Sequence, residues 1–523
     1  MTVLGIDLGT TYSVVARVGD DGEAEVIPNA QGSLTTPSAV YFEADGTALI
    51  GQEAKECGSV DADNTITHVK RRMGERFDID VRGKVLGPEG ISALILRGLV
   101  DTAMASIGAT GPVQAVITVP AYFGVAEREA TAQAAEIAGI EVLELIAEPV
   151  AAAVAYGVDK GETGTVLVYD LGGGTFDTTV ISLTSTGPAV LVTDGDHELG
   201  GADWDERILG YLIERFCRLN GIDDAPDDES WLQDLALRAE QLKKDLTGLT
   251  AKSIALRYDG ATAKLEVTRQ EVEEVTSDLI DRTFHIVDRT LATAKSSGAQ
   301  HPAKVLLVGG SSRMPAVARE LQARYQVETI LADPDLAVAK GAALHAQALA
   351  GLKTPSVPAG AMSKKAQRGL LLSRVSSVLP RSLGVLIHDS FDPEGTRRFV
   401  DHLVAANSPL PVRPVVKTYS TCLDNQDKIR VEIFEQAGAI ASPELEHNRR
   451  VLDGELTGIP ALKGGSPIEV EIGVDRDGRI TVTATEPKSR KKLVLESYIE
   501  GVVDSAEASR QAEIVGGIRI VNG

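Results

Sequence analysis

The chain has 523 residues, 43% hydrophobic and 24% charged, a globular balance that excludes long disorder as its main theme and implies about three folded units. Its formal charge of −23, from 75 acidic against 52 basic residues, opposes binding to nucleic-acid backbones and to anionic membrane surfaces. Cys57, Cys217 and Cys422 lie far apart and form no CxxC pair, so neither a zinc site nor a disulfide framework is expected, and a reducing compartment fits.

The N-terminus enters an apolar run at once, Thr2-Val3-Leu4-Gly5-Ile6, with no basic or cleavable stretch before Asp7. No apolar run approaches the roughly 20 residues that cross a bilayer, so a soluble, cytoplasmic chain is expected. Val113 to Val119, Thr165 to Tyr169 and Lys304 to Val308 are short, β-branched and apolar, as strands buried on both faces should be. Helical spacing runs through Ala126 to Ala138 and Trp231 to Leu246, so residues 1–350 read as an α/β domain. Over residues 351–377 the composition shifts to Pro, Ser, Gly, Lys and Arg, which predicts a linker with one apolar patch, Leu370 to Leu372. Residues 378–500 alternate apolar and polar over Val415 to Thr421, Lys428 to Phe434, Ile468 to Val474 and Arg479 to Thr485, with a turn at Asp475 to Gly478. That pattern predicts an antiparallel β module. Residues 501–523 open on a helix-start signal, Asp504 followed by Glu507, and end in the apolar run Ile514 to Val521, so a further domain is not expected there.

Two segments share one design, Ile6-Asp7-Leu8-Gly9-Thr10-Thr11-Tyr12 and Tyr169-Asp170-Leu171-Gly172-Gly173-Gly174-Thr175-Phe176-Asp177. In each, an apolar strand ends on an aspartate and glycines turn the chain, so that backbone N–H groups can face phosphate oxygens with no side chain in the way. One copy is a common tight hairpin; two spaced copies point to an internal duplication that grips one polyphosphate. Asp7 and Asp170 are hard oxygen donors suited to a magnesium ion that keeps most of its waters, and Thr10, Thr11 and Thr175 add hydroxyls. Val305 to Pro315 repeats the strand-then-glycine pattern: Gly309 and Gly310 let a flat base approach the backbone and Arg313 can stack on it, an adenine floor. The chain carries no P-loop motif.

These segments, with Val116 to Phe123, Glu148-Pro149 followed by Ala151 to Gly157, and Asp333-Pro334-Asp335 to Ala343, resemble the seventy-kilodalton heat-shock chaperones of the DnaK type over residues 1 to about 500. The resemblance implies an actin-like two-lobed ATPase domain, a ribonuclease-H-like duplication, followed by an antiparallel β-sandwich that binds peptides. It implies ATP/ADP and magnesium as cofactors, with potassium a further candidate ion. Lys70 then orients the attacking water and stabilises charge on the γ-phosphate, while Glu148, Thr175 and Asp177 organise the nucleophile and the magnesium waters. Without that context Lys70 is one more cation in a run of three. Gly200, Gly201, Ser311, Asp335 and the helix bearing Glu240, Lys243, Lys244 and Thr247 enclose the nucleotide; Pro120 and Arg128 relay its state. On local pattern alone Pro120 ends a strand and Arg128 faces water.

In the β module, Tyr419 to Gln426 resembles the family's segment beside the peptide groove, which places Val385, His388, Tyr419, Cys422, Ile429 and Val431 at its apolar pocket. Alternating residues of a β module are otherwise simply its core. Extended or unfolded polypeptide is the implied partner, with a nucleotide-exchange factor a further candidate. Several positions depart from the family. The stretch from Lys70 to Ile91 is short, so a hairpin of the first lobe is expected to be missing; Glu144 and Ala147 stand where Arg and Asn are usual, so docking of a J-domain co-chaperone is not expected there; His388 replaces a flexible apolar residue; and a helical lid after the module is not expected. The apolar tail resembles the peptides such grooves accept, its alternatives being a frayed terminus or a small added strand. The expected function is an ATP-driven peptide-binding chaperone. A small-molecule kinase of the same fold would leave the β module without a task, and a non-hydrolysing scaffold conflicts with Lys70, Glu148 and Thr175.

Overall fold

The computed structural model describes all residues except 161–162, 185–186, 332, 353–374, 390, 393–395, 439, 496–501 and 523, so Leu370 to Leu372 lie outside the described residues. The apolar N-terminal run forms β1 (Thr2–Asp7), and the Gly-Thr-Thr turn returns the chain as antiparallel β2 (Tyr12–Val18). Farther on come β3 (Ala48–Ile50) and the long helix α1 (Pro88–Ser106), whose first residue is a proline, tolerated there because its missing N–H would have had no helical partner. Strand β4 (Val113–Val119), buried along its whole length, pairs in parallel with β1. Helix α2 (Val125–Ile137) then leads to β5 (Glu141–Ala147), parallel to β4, and helix α3 (Glu148–Lys160) leaves the first sheet.

The second sheet starts with the antiparallel meander β6 (Gly164–Leu171), β7 (Phe176–Thr184) and β8 (Gly187–Asp196). Helices α4 (Gly201–Asn220) and α5 (Glu229–Gly248) intervene before β9 (Lys304–Val308), which joins β6 in parallel. The two sheets have one strand order. From the meander edge, the first runs Ala24–Val26, β2, β1, β4, β5, and the second runs β8, β7, β6, β9, Glu328–Leu331. The duplication suspected from two short hairpins therefore extends to a whole sheet each.

Helix α6 (Ala337–Leu352) crosses between the halves on a surface of small residues. A Cβ on Gly5 would lie 2.1 Å from the Ala343 nitrogen, and one on Gly341 would lie 1.8 Å from the Ala151 carbonyl oxygen, so glycine is what lets α6 sit directly on β1 and α3.

The C-terminal part holds two four-stranded antiparallel sheets. Strands β10 (Leu383–His388), β11 (Arg398–Val404), β13 (Ile429–Gln436) and β14 (Asn448–Leu456) form one; β12 (Val412–Ser420), β15 (Pro467–Val474), β16 (Ile480–Glu486) and β17 (Lys491–Leu495) form the other. Their alternating apolar residues, among them Val385, Val431, Ile472 and Val482, share one core, which continues into that of the first sheet. Residues at the tail add helix α7 (Ser505–Gly517) and strand β18 (Ile520–Asn522), which pairs in parallel with β3. Of the readings of the apolar tail, the small added strand is the one found. Between Lys70 and Ile91 the chain makes only a short hairpin, Ile79–Val81 with Lys84–Leu86. No helix among the described residues is long and apolar enough to cross a membrane.

Candidate nucleotide-binding cleft

The turns after β1 and β6 face each other across a cleft of about 400 Å³, the size of a small-ligand site. A Cβ on Gly173 would lie 1.8 Å from Thr11 Oγ1 and one on Gly174 would lie 2.4 Å from Thr10 Cγ2, so the second hairpin packs its glycines against the threonines of the first. Behind them Gly200 packs on the backbone of Gly174, and Gly201 donates its N–H to the Gly172 carbonyl at 2.9 Å. Helix α4 begins at Gly201, and the Ala202 N–H likewise goes to the Gly173 carbonyl at 2.8 Å, so the helix start is tied to the second hairpin and its positive dipole end lies beside the cleft, where an anion is favoured.

Four carboxylates gather at the cleft floor around one ammonium. Lys70 Nζ donates to Glu148 Oε1 at 2.6 Å, and both side chains are buried. Asp7 Oδ1 accepts from Thr118 Oγ1 at 2.8 Å; Asp177 Oδ1 accepts from the Tyr122 N–H at 2.8 Å. Burial, with the charge of Glu148 next, pushes Asp7 up to about 7 and Asp177 up to about 8, and Asp170 well above the ordinary carboxylate range. One lysine does not balance this much negative charge in a low-dielectric pocket. Asp170 Oδ2 is buried without a hydrogen-bond partner from the protein, a position suited to a hydrated cation.

The adenine floor predicted at Gly309 and Gly310 lines the cleft with Ser311, Pro334 and Val338. Gly309 has φ +77°, and a Cβ there would lie 2.4 Å from the Leu171 carbonyl oxygen. Arg313 is held by Asp335 at 2.5 Å, so the two form one side of the floor together. On the opposite lip Glu240 accepts from Lys55 at 2.5 Å and Lys244 at 2.7 Å, while both ammonium groups stand over the Tyr12 ring, 5.1 and 4.8 Å from its centroid. Burial alone would raise Glu240; the two lysines outweigh it and hold it down at about 2. Lys243 is tied to Asp205 at 2.8 Å, and Thr247 closes the lip.

All the expected catalytic, metal and nucleotide residues line this cleft except Asp177, Gly174 and Gly200, which sit directly behind its wall. Sequence reasoning missed Lys55, Thr118 and Asp205, together with Arg71, which donates to the Gly174 carbonyl and to Asp203 at 2.7 Å. Thr118 sits in a segment already singled out for its resemblance, and Arg71 beside Lys70; Lys55 and Asp205 carry no local signal.

Pro120 follows the end of β4 as expected. Arg128, read locally as facing water, is 6% exposed: it donates to the Phe123 carbonyl and packs against Gly478 of the β module. The six peptide-site residues do not form one exposed surface. Val385 and Val431 are buried in the module's core, Ile429 and Tyr419 are half-buried against it, and His388 and Cys422 are exposed. Tyr419 Oη donates to Asp401 at 2.9 Å.

A glycine-walled cleft between two like sheets, with a buried lysine among carboxylates, defines a class of polyphosphate-binding enzyme. The sequence model described as Hsp70 protein matches residues 3–511. Similar chains are the chaperone protein dnaK of Cyanidioschyzon merolae, 36% identical over 98% of this chain and 84% of its own, and the chaperone protein DnaK of Thermosipho melanesiensis, 37% identical over 94% and 79%. The DnaK of Thermotoga petrophila is 38% identical over the same shares, 94% and 79%. The chain belongs to the Hsp70 family. It is an ATP-dependent molecular chaperone and an ATPase.

Proposed function

We propose that residues 1–350 form an actin-like two-lobed domain that hydrolyses ATP in this cleft, that 351–377 are a linker, and that 378–500 are a β-sandwich holding extended polypeptide. The observation that carries the reading is the contact of the two duplicated hairpins, Gly173 on Thr11 and Gly174 on Thr10, with the buried Lys70–Glu148 pair beside it. Backbone N–H groups of both hairpins hold the phosphates, and the base lies on Gly309 and Gly310 under the Arg313–Asp335 pair. In the reaction a water oxygen bonds to the γ-phosphorus as the bond to the β-bridging oxygen breaks. Glu148, which lines the cleft, holds the water and receives its proton, Asp177 supports the site from behind the wall, and Lys70 faces the charge that grows on the γ-oxygens, an arrangement in which positioning and electrostatics supply most of the rate.

Among the described residues no three His, Cys, Asp or Glu side chains are arranged to grip a metal directly. Asp7 and the unpartnered Asp170 Oδ2 suit a magnesium ion held through its waters and the nucleotide phosphates, and such an ion supplies neutralisation of the phosphate charge. His388, Cys422, Tyr419 and Ile429, with exposed Leu423 beside them, are the surface offered to a polypeptide strand. Glu144, facing His345 at 3.1 Å, removes a donor from the usual J-domain site, so stimulation by a generic J-domain protein is expected to be small. Incubation with ATP and magnesium alone tests the enzymatic reading. Slow phosphate release with no added acceptor supports it, and turnover that requires a small-molecule acceptor overturns it in favour of a kinase.

A further inference from the structure

The segment after the β module takes no part in the cleft, yet Val502, Val515 and Ile518 are each at most 2% exposed. Asp504 caps helix α7, its Oδ1 accepting from the Glu507 N–H at 2.8 Å. The helix lies on α1 and α2. Buried Gln511 accepts the Gly87 N–H at 3.3 Å, and Gln133 on α2 donates to the Val503 carbonyl at 3.0 Å. Arg97 on α1 donates through both terminal nitrogens to the carbonyls of Val515 and Ile518, at the end of α7, where the Val515 carbonyl also accepts the Ile518 N–H at 3.2 Å. Strand β18 then extends the sheet of β3 in the register Ile520 to Ala48, Val521 to Leu49 and Asn522 to Ile50. Gly98 makes room for it, since a Cβ there would lie 2.7 Å from Asn522 Oδ1.

The module also meets the first half through buried charge. Glu435 accepts the Val125 N–H at 3.0 Å at the start of α2, and Arg381 and Arg449 bridge Glu435 to Glu127. At its other end the chain is held where Val190 donates to the Ser376 carbonyl at 3.0 Å.

We propose that residues 502–522 are a latch that keeps the β module docked on the first half of the ATPase domain whether ATP or ADP is bound. With the latch closed, the covalent reach from Leu495 to Val502 is at most about 25 Å, so the module cannot travel far, and a detached module is held at high effective concentration above its own joint. Separation of the two parts then depends on opening the latch and not on hydrolysis alone. This inference does not rest on the peptide-binding reading.

The test is small-angle scattering of the full chain in ATP and in ADP, for the natural sequence and for Arg97→Ala, Asp504→Ala and Val521→Pro. Asp504 is exposed and, among the described residues, its side chain bonds only within its own helix start, and retained ATP hydrolysis reports that each variant folds. The natural chain is expected to have one maximum dimension in both nucleotides, and the variants to lengthen in ADP by at least about 10 Å, well within the reach of the connecting chain. A natural chain that expands in ADP as far as Val521→Pro, or variants that stay as compact as the natural chain, overturns the latch.

Discussion

The nucleotide cleft and the joint between the β module and α2 both bury charge, and they balance it differently. In the cleft, Asp7, Glu148, Asp170 and Asp177 surround Lys70, and burial holds three of the carboxyls up. In the joint, Glu127 and Glu435 face Arg381 and Arg449, two against two. Burial would raise Glu127 there too, but the two guanidinium groups outweigh it and hold it down at about 2. An unbalanced buried cluster marks a place where a charged ligand completes the site; a balanced one marks a structural contact.

The largest expected effect breaks the balanced side. Glu127→Ala leaves Arg381 buried beside a single acid and should cost about 3–5 kcal/mol in chemical denaturation. A loss below about 1 kcal/mol, the worth of an exposed pair, would make the joint no different from surface charge.

On the unbalanced side the sign reverses. The folded-state values of Asp7 and Asp177 lie above their unfolded ones, so the native state holds extra protons between about pH 4 and 8, and the nucleotide-free protein loses stability as pH rises through that window. Asp177→Asn should therefore stabilise the nucleotide-free protein at pH 8 by on the order of 1–3 kcal/mol, with little change at pH 4. Thermal melts at the two pH values check this, and destabilisation at pH 8 would contradict it. Glu127 titrates oppositely. Its contribution is present above about pH 4.5 and is lost as pH falls toward 2, so acid should weaken the joint while relieving the cleft.

The smallest effect concerns the lip. Lys55→Ala removes one of two cations on Glu240 and should speed nucleotide release by about five- to tenfold, or roughly 1 kcal/mol. Stopped-flow release of a fluorescent nucleotide reads it, and an unchanged rate would leave Lys244 as sufficient.

The same contrast governs what could be read in advance. Both phosphate hairpins, the strands Val113 to Val119 and Lys304 to Val308, and the helix cap at Asp504 were legible because each is set by a few neighbouring residues. The joint was not. Glu127 and Arg381 are 254 residues apart in the chain, and neither stands out among ordinary surface charges. Arg128 looked like a solvated helix residue because nothing local announces that Gly478 covers it. The tail's alternation was compatible with a groove peptide or an added strand, and only the vacant edge of β3, with Arg97 and Gly98 nearby on α1, distinguishes them.

The central claim is that the buried Lys70–Glu148 pair serves the transition state of ATP hydrolysis. Its most direct test is Lys70→Ala, with ATP affinity measured by calorimetry and hydrolysis measured in a single turnover. A group acting mainly on the transition state lowers kcat far more than it weakens binding, so near-normal affinity with a loss of at least about 100-fold in rate is expected. Hydrolysis at the natural rate, or a loss confined to affinity, would contradict the account.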